Sequence, residues 1–402
     1  MKKNGFIGFW FEGFGLIKRM DNTGLISLGL TMLIYVLLFQ RRVLLDITAQ
    51  VQTLIKVCQG EVALPPTAMF YGCTWLAAFG SCTFFRLMGG AVVTLSLFGL
   101  AKFLITRHIF EDFFGESKTN YGWLALILGL VCSLPTPDWW SKGQYIIGQA
   151  SPNYWMNGTL AVSYPFAILL FWQSHRQLQH PEAGWWRRQL LLIILLALSK
   201  PSYLFVYALV YPVFLIGNHF RNPRVLIAQL APLGLVALLL AVEYYLVFTH
   251  PRSVYVHDFN RGNPSGVVVR PLEVWRLYSS NIPLSILASV FFPLVVAALY
   301  WAELRTRLLF WYAWAGFAAA IIVSAAFMQT GEEFYTWNFR YQHYIAAYLL
   351  FLVSVLFVWE KIRAGRYSSE RAKLWWCMGV FALHLASGVI YLAKMWWSKS
   401  HY

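Results

Sequence analysis

The chain has little charge and no long hydrophilic stretch. Only 12% of its 402 residues are charged, whereas 59% are hydrophobic. None of the segments between its apolar runs is large enough to fold as a separate domain. The sequence therefore excludes a large soluble core, and we expect a protein that works inside a membrane and at its faces.

Cysteine and acidic residues are also scarce. The five cysteines are odd in number and lack metal-ligand spacing, so we predict that they pack as small apolar residues. Asp and Glu number 17 against 32 Lys and Arg, which gives a net charge of +15. In a soluble protein this excess would indicate nucleic acid, but beside long apolar runs it marks cytoplasmic loops. We expect no nucleic-acid partner.

About eleven apolar segments approach the ~20 residues that a helix needs to cross a bilayer. The predicted spans are 22–40, 87–106, 121–135, 158–173, 189–201, 203–218, 225–248, 283–302, 308–328, 342–359 and 374–396. The expected fold is all-α, a polytopic transmembrane helix bundle, and residues 1–402 form a single integral-membrane domain.

Basic clusters predict the orientation of this bundle. With the N-terminus in the cytoplasm, Arg187–Arg188, Arg221–Arg224 and the 361–373 cluster all fall on the cytoplasmic side. The external segments are then 41–86, 136–157, 249–282 and 329–341. This count treats Thr67–Phe85 as an interfacial or re-entrant helix and 189–218 as a hairpin broken at Lys200–Pro201, although one broken helix is the alternative.

The first external loop begins with an amphipathic pattern. An apolar stripe recurs at helical spacing, and it comprises Ile47, Val51, Leu54, Ile55 and Cys58. Asp46, Gln50 and Thr53 share the opposite face. The pattern predicts a helix lying flat on the membrane that presents one carboxylate above the bundle. The alternative is that Asp46 pairs with Arg42, four residues earlier.

The second external loop is rich in amides and tryptophan. It includes Asp138, Gln149, Asn153, Trp155 and Asn157. Aromatic faces stack on sugar rings while amides and acids bind hydroxyls, so this composition is typical of a sugar site. Tryptophan is also enriched at any membrane interface, which is the structural alternative.

The third and fourth external loops carry further candidates. Asp258 and Arg270 lie in a segment that is either a lid or a solvated loop. Arg340, between Glu332 and His343, offers a planar fork of donors that suits a phosphate. Its alternatives are an interfacial anchor and an ion pair with a nearby glutamate.

Four ionisable residues lie within or beside apolar runs. Lys200 is costly there unless it reaches the interface or meets an anion. Glu243, Lys102 and His384 are lesser candidates of the same kind.

The layout of residues 41–90 resembles that of the GT-C superfamily, polytopic glycosyltransferases that use polyprenyl-phosphate sugars. The resemblance rests on Asp46 directly after the first span, the flat helix to Cys58, Pro65–Pro66, the aromatic run Met69–Trp75 and Arg86–Leu87 opening the next span. It implies a glycosyltransferase of the plasma (inner) membrane with an extracytoplasmic active site.

The resemblance also implies residue roles. Asp46 would be the general base, and Arg340, Lys200 and Arg86 would bind the donor phosphate. The sugar and acceptor contacts would be Gln50, Asp138, Gln149, Asn153, Trp155, Asn157, Asp258, Arg270, Glu332 and His343.

Several departures from the family pattern bear on the chemistry. The first loop has one acid where many relatives have a pair, Gln50 stands where a histidine often does, and no Asp-x-Asp follows Asp138. The sequence therefore assigns no cofactor and leaves a divalent metal open.

The expected partners are a polyprenyl-phosphate-linked sugar donor, a lipid-linked or surface glycan acceptor and membrane lipids. One alternative is a polysaccharide polymerase or ligase, in which Arg252, Arg261, Arg270 and Arg276 would be central. The other is a lipid-linked glycan flippase or transporter, a class that often shows internal repeats absent from this sequence.

Overall fold

Helices dominate the structure. The computed structural model describes residues 21–40, 45–115, 121–136, 147–181, 185–253, 256, 266–331, 338–365 and 370–397. It is 79% helical, which agrees with the all-α, polytopic prediction.

The first nine helices precede the only strands of the described chain. They are α1 Asn22–Gln40, α2 Leu45–Cys58, α3 Ala68–Ala77, α4 Phe84–Phe114, α5 Gly122–Leu128, α6 Gly158–Gln179, α7 Trp185–Ser199, α8 Ser202–His219 and α9 Pro223–Phe248. The remaining elements are β1 Val267–Val269, α10 Glu273–Tyr278, α11 Ile282–Leu299, α12 Trp301–Leu304, α13 Leu308–Ala326, β2 Phe327–Gln329, a 3₁₀ turn Asn338–Arg340, α14 Tyr341–Arg363 and α15 Arg371–Trp397.

Within the described ranges, eight helices are long and apolar enough to cross a membrane. They are α1, α4, α8, α9, α11, α13, α14 with its preceding turn, and α15. The chain is therefore a multi-pass membrane protein.

Three of the eleven predicted spans are not among these eight. Helix α5 has seven residues and α7 has 15, so at 1.5 Å per residue they reach only about 10 and 22 Å. Helix α6 has 22 residues, but its second half carries the polar run Gln173–Gln177. The eleven-span count stays a prediction.

Helix α14 lies at the centre of the bundle. Its 18-residue apolar window is 83% buried, and it packs against α13, α11, α8 and α6. Because it begins at Tyr341, directly after Arg340, this central helix holds the end of the fourth predicted loop in a fixed place.

Helix α2 buries three of the five residues of the predicted stripe, whereas Ile55 is half-buried and Cys58, at the end of the helix, is exposed. Ile47, Val51 and Leu54 are at most 4% exposed, while Asp46 and Gln50 stay partly accessible. The apolar face packs on α4, α3 and α6, which leaves the acid on the polar side.

The prediction that all cysteines are small packing residues is wrong for two of them. Cys58, at the end of α2, forms a disulfide with Cys82, just before α4. Neither an odd cysteine count nor the sequence spacing reveals such a pair, because it depends on α3 turning the chain back. Cys132 and Cys377 are buried and unpaired, as expected.

One helix break and one short β-ribbon shape the functional region. Helix α7 ends at Ser199 and α8 begins at Ser202, with Lys200 in the gap, because Pro201 has no backbone N–H to continue a helix. Strands β1 and β2 pair antiparallel, with Val268 opposite Met328. This unpredicted ribbon joins the third predicted loop to the end of the predicted span 308–328 and to Gln329, the first residue of the fourth loop.

Candidate functional site

Asp46 lies where three separate segments meet. Its Oδ2 atom accepts hydrogen bonds from Asn157 Nδ2 at 3.2 Å and from the Tyr341 hydroxyl at 3.3 Å. No other described residue donates to this carboxylate. One carboxylate oxygen is thus fixed, and the other accepts no hydrogen bond from the residues that the structure describes.

A second contact, with the N-terminal end of helix α6, sets the orientation of the Asn157 side chain. It is the N-cap of α6, and its Oδ1 accepts from the Leu160 backbone N–H at 2.9 Å. Because the oxygen is engaged with the helix end, the amide NH₂ must face Asp46 and the Tyr341 oxygen, 3.1 Å away. The helix cap therefore sets the donor that holds the acid.

Gln50 and Lys200 converge on the same helix end. Gln50 Oε1 accepts from the Gly158 N–H at 3.1 Å, and Lys200 Nζ donates to Thr159 Oγ1 at 3.2 Å. A Cβ on Gly158 would lie 2.7 Å from Gln50 Oε1 and 2.5 Å from a Phe70 ring carbon. Glycine at this position allows α2 to approach α6 so closely.

Lys200 is the first cation of the site. Its ammonium lies 3.9 Å from the centre of the Tyr341 ring, the ring whose hydroxyl binds Asp46. Asp46 and Glu243 attract this ammonium, and Arg340 repels it. No carboxylate lies within 4 Å of it in the described part of the chain, so the lysine keeps the capacity to bind an anion.

Arg340 is the second cation, and aromatic rings surround it. Its guanidinium lies 5.4 to 5.8 Å from the ring centres of Tyr154, Tyr278 and Tyr341, and it donates to the Tyr154 hydroxyl at 3.1 Å. Its Nε is buried and has no hydrogen-bond partner among the described residues. Such an orphaned donor is costly unless a ligand meets it.

Tyr154 is rigid and neutral. Its ring stacks on Tyr344 with a centroid distance of 4.7 Å and an interplanar angle of 7°. Burial raises the pKa of Tyr154 well above its ordinary value, against the opposing effect of Arg340. The phenol therefore keeps its proton and accepts from the guanidinium without pairing its charge.

The structure brings five predicted site residues into this one cluster. They are Asp46, Gln50, Asn157, Lys200 and Arg340. The cluster combines a carboxylate whose second oxygen accepts from no described residue with two cations that have no carboxylate ion-pair partner among those residues. That combination can accept a proton on one side and stabilise a developing negative charge on the other.

Three other predicted residues lie beside the cluster in supporting contacts. Gln149 donates from Nε2 to the Tyr278 carbonyl at 3.3 Å. His343 is fully buried, with Nδ1 3.1 Å from Ser324 Oγ. Trp155 packs edge-on against Tyr35 at 5.8 Å.

Three further candidates lie apart from it. Asn153 is 2% exposed and uses its amide on the Leu128 and Val131 carbonyls. Arg86 is exposed in the first turn of α4, and Arg270 is exposed in an ion pair with Glu273 at 3.2 Å. In this conformation the structure places none of the three against Asp46.

Three predicted acids lie outside the described residues, namely Asp138, Asp258 and Glu332. The alternative partner of Asp46, Arg42, lies outside them too. Among the residues that are described, no three His, Cys, Asp or Glu side chains converge as metal ligands.

Sequence reasoning missed the tyrosines of the site. Tyr341, Tyr344 and Tyr348 recur at i, i+3 and i+7, so they share one face of α14. That spacing was the available signal, but beside an apolar run it is also typical of a packed helix. Tyr154 lies between Asn153 and Trp155, and no local sequence pattern marks it as a site residue.

Comparison of the chain with protein-family models, with curated proteins and with solved structures gives no match in any of the three. The geometry of the cluster is therefore the basis on which a function can be inferred.

Proposed function

We propose that the protein is an inverting membrane glycosyltransferase of the GT-C type. It moves a sugar from a polyprenyl-phosphate donor to a lipid-linked or surface glycan acceptor at the extracytoplasmic face. The observation that supports this most is that Asp46, held through one oxygen by Asn157 and Tyr341, lies near Lys200 and Arg340.

Asp46 is the general base in this mechanism. The acceptor hydroxyl attacks the anomeric carbon, its oxygen forms the new glycosidic bond, and its proton passes to Oδ1 of Asp46. Asn157 and Tyr341 hold the other oxygen and so aim the carboxylate. Proton removal of this kind contributes about 10²–10⁴-fold to a rate.

Lys200 and Arg340 receive the leaving group. As the bond between the anomeric carbon and the phosphate oxygen breaks, its electron pair stays on the lipid phosphate. Cations fixed in advance stabilise that charge without reorganising. The buried Nε of Arg340, which lacks a partner among the described residues, is a ready donor to a phosphate oxygen.

The disulfide supports an extracytoplasmic site. Cys58 is the last residue of the helix that carries Asp46 in its first turn, and disulfides persist in oxidising compartments rather than in the cytosol. Together with the basic clusters predicted on the opposite side, it favours the plasma membrane with the N-terminus in the cytoplasm.

Transfer of a radiolabelled sugar by the purified protein tests the proposal. A panel of polyprenyl-phosphate sugars is offered with lipid-linked glycan acceptors, each with and without chelator. We expect label to move from one donor to an acceptor with inversion. Loss of transfer with chelator would add a divalent metal to the mechanism.

A second measurement separates binding from chemistry. If a donor stabilises the protein against heat but no label moves in any combination, the transferase is the wrong class. If the purified protein then moves that lipid across liposome membranes without altering it chemically, the protein is a flippase.

A further inference from the structure

Lys102 lies inside the membrane-spanning helix α4, away from Asp46. Its ammonium donates to Asn153 Oδ1 at 2.5 Å and lies 3.8 and 4.0 Å from the ring centres of Tyr164 and Tyr348. No carboxylate lies within 4 Å of it among the described residues. A lysine inside a membrane-spanning helix costs free energy, and this cost makes Lys102 a candidate for a functional role.

Its partner Asn153 is a backbone anchor. Asn153 Nδ2 donates to the carbonyls of Leu128 and Val131 at 3.0 and 2.7 Å, while Lys102 occupies the amide oxygen. The preceding residue is held as well, because the Tyr164 hydroxyl donates to the Pro152 carbonyl at 3.0 Å. Lys102 therefore contacts both the Tyr164 ring and the Asn153 amide, the two side chains that hold the backbone at residues 152–153.

The chain fixed there continues directly into the site. Tyr154 accepts from Arg340, and Asn157 donates to Asp46. Consecutive Cα atoms are about 3.8 Å apart across a trans peptide, so a shift at Asn153 is passed to Tyr154. A misplacement of about 1 Å at a reacting centre can cost 10²-fold in rate.

We infer that Lys102 is a positioning residue for the transfer reaction, which acts through Asn153 to hold Tyr154 and Asn157 against Arg340 and Asp46. The inference rests on the proposed function for its kinetic part. Its structural part, the anchoring of residues 152–157, holds or fails independently.

Lys102→Met tests the inference. Methionine keeps an unbranched stem but cannot donate to the Asn153 amide oxygen or place a cation on the two rings. We expect faster amide hydrogen exchange over residues 153–157 and a fall in transfer of about 10- to 100-fold. Lys102→Arg should restore most of both, because Lys102 lines a cavity of about 60 Å³ that can take part of the larger group.

Thr94→Val is the matched control. Thr94 is another buried polar residue of α4, and its hydroxyl has no hydrogen-bond partner in the described chain. We expect wild-type exchange and wild-type transfer from this variant.

A double variant guards against a folding defect. Asn153→Leu removes the same contact from the other side, so Lys102→Met combined with Asn153→Leu should be no worse than Asn153→Leu alone. Should Lys102→Met not fold, Asn153→Leu alone must reproduce the faster exchange.

Unchanged exchange and unchanged transfer in Lys102→Met or in Asn153→Leu would overturn the inference. If exchange rises while Asp46→Asn keeps full transfer, the anchoring is right and the proposed function is wrong. If Asp46→Asn abolishes transfer and Lys102→Met behaves as wild type, the proposed function stands and the positioning role of Lys102 is wrong.

Discussion

Asn157 donates to Asp46 at 3.2 Å while its own side-chain oxygen caps helix α6. One side chain thus joins the stability of a helix end to the orientation of the candidate base. The two tasks use different atoms, so they can be separated by substitution.

Asn157→Asp separates them. Aspartate is as good an N-cap as asparagine, but it removes the amide donor and places a second carboxylate against Asp46. We expect transfer to fall by about 10- to 100-fold, equivalent to losing a charged hydrogen bond of 1.5–3 kcal/mol, while the helix content stays that of wild type because the cap of α6 is kept. Asn222→Asp makes the same change at the exposed cap of α9 and should leave transfer intact, whereas equal transfer in both variants would remove Asn157 from the site.

Tyr154→Phe tests how Arg340 is held. Phenylalanine keeps the stacking on Tyr344 but removes the hydroxyl that accepts from the guanidinium. We expect the KM for the donor to rise about tenfold, as for one charged hydrogen bond, with kcat less affected. Tyr244→Phe, on the exposed side of α9, is the matched control, and a wild-type KM in Tyr154→Phe would contradict a phosphate-binding role for Arg340.

The Cys58–Cys82 disulfide should stabilise the loop that carries Asp46. It closes a 24-residue separation, for which chain entropy gives about 3 kcal/mol. We expect Cys58→Ser, Cys82→Ser and the double variant to lower the melting temperature equally. Reductant should lower the melting temperature of the wild type but not of these three variants. Cys73→Ser, which alters an unpaired cysteine, should respond to reductant as the wild type does; unequal single variants would indicate that the bond is not formed.

Arg270→Ala distinguishes the transferase from the polymerase or ligase. In the structure Arg270 is exposed and pairs with Glu273, a contact worth at most about 1 kcal/mol at a surface. We expect this variant to lose far less transfer than Asp46→Asn. The opposite order, with Arg270→Ala inactive and Asp46→Asn active, would favour the polymerase.

Local patterns predicted the parts of the site that lie on one element. Ile47, Val51 and Leu54 of the predicted stripe are buried, and Asp46 and Gln50 lie on the other face, because helical periodicity is a local property. The stripe fails at its end, where Ile55 is half-buried and Cys58 is exposed. Helix α5 ends at Leu128, well short of the predicted 135, because the chain then follows hydrogen bonds to Asn153 and His384 instead of its own turn.

The same local patterns do not predict contacts between segments that are distant in the sequence. Asp46 and Tyr341 are 295 residues apart, and the disulfide and the β1–β2 ribbon likewise join separate segments. Hydrophobicity and charge predict which residues face a membrane boundary, but they do not predict which side chains meet there.

The rate of a single turnover by Asp46→Asn, at saturating donor, tests the central proposal most directly. Asparagine keeps the shape of the side chain and cannot take the proton, so we predict transfer about 10²–10⁴-fold slower than wild type with donor binding retained. Asp21→Asn, at the start of α1 and paired with Arg107, controls for the loss of a carboxylate. A turnover rate equal to wild type in Asp46→Asn would contradict the mechanism.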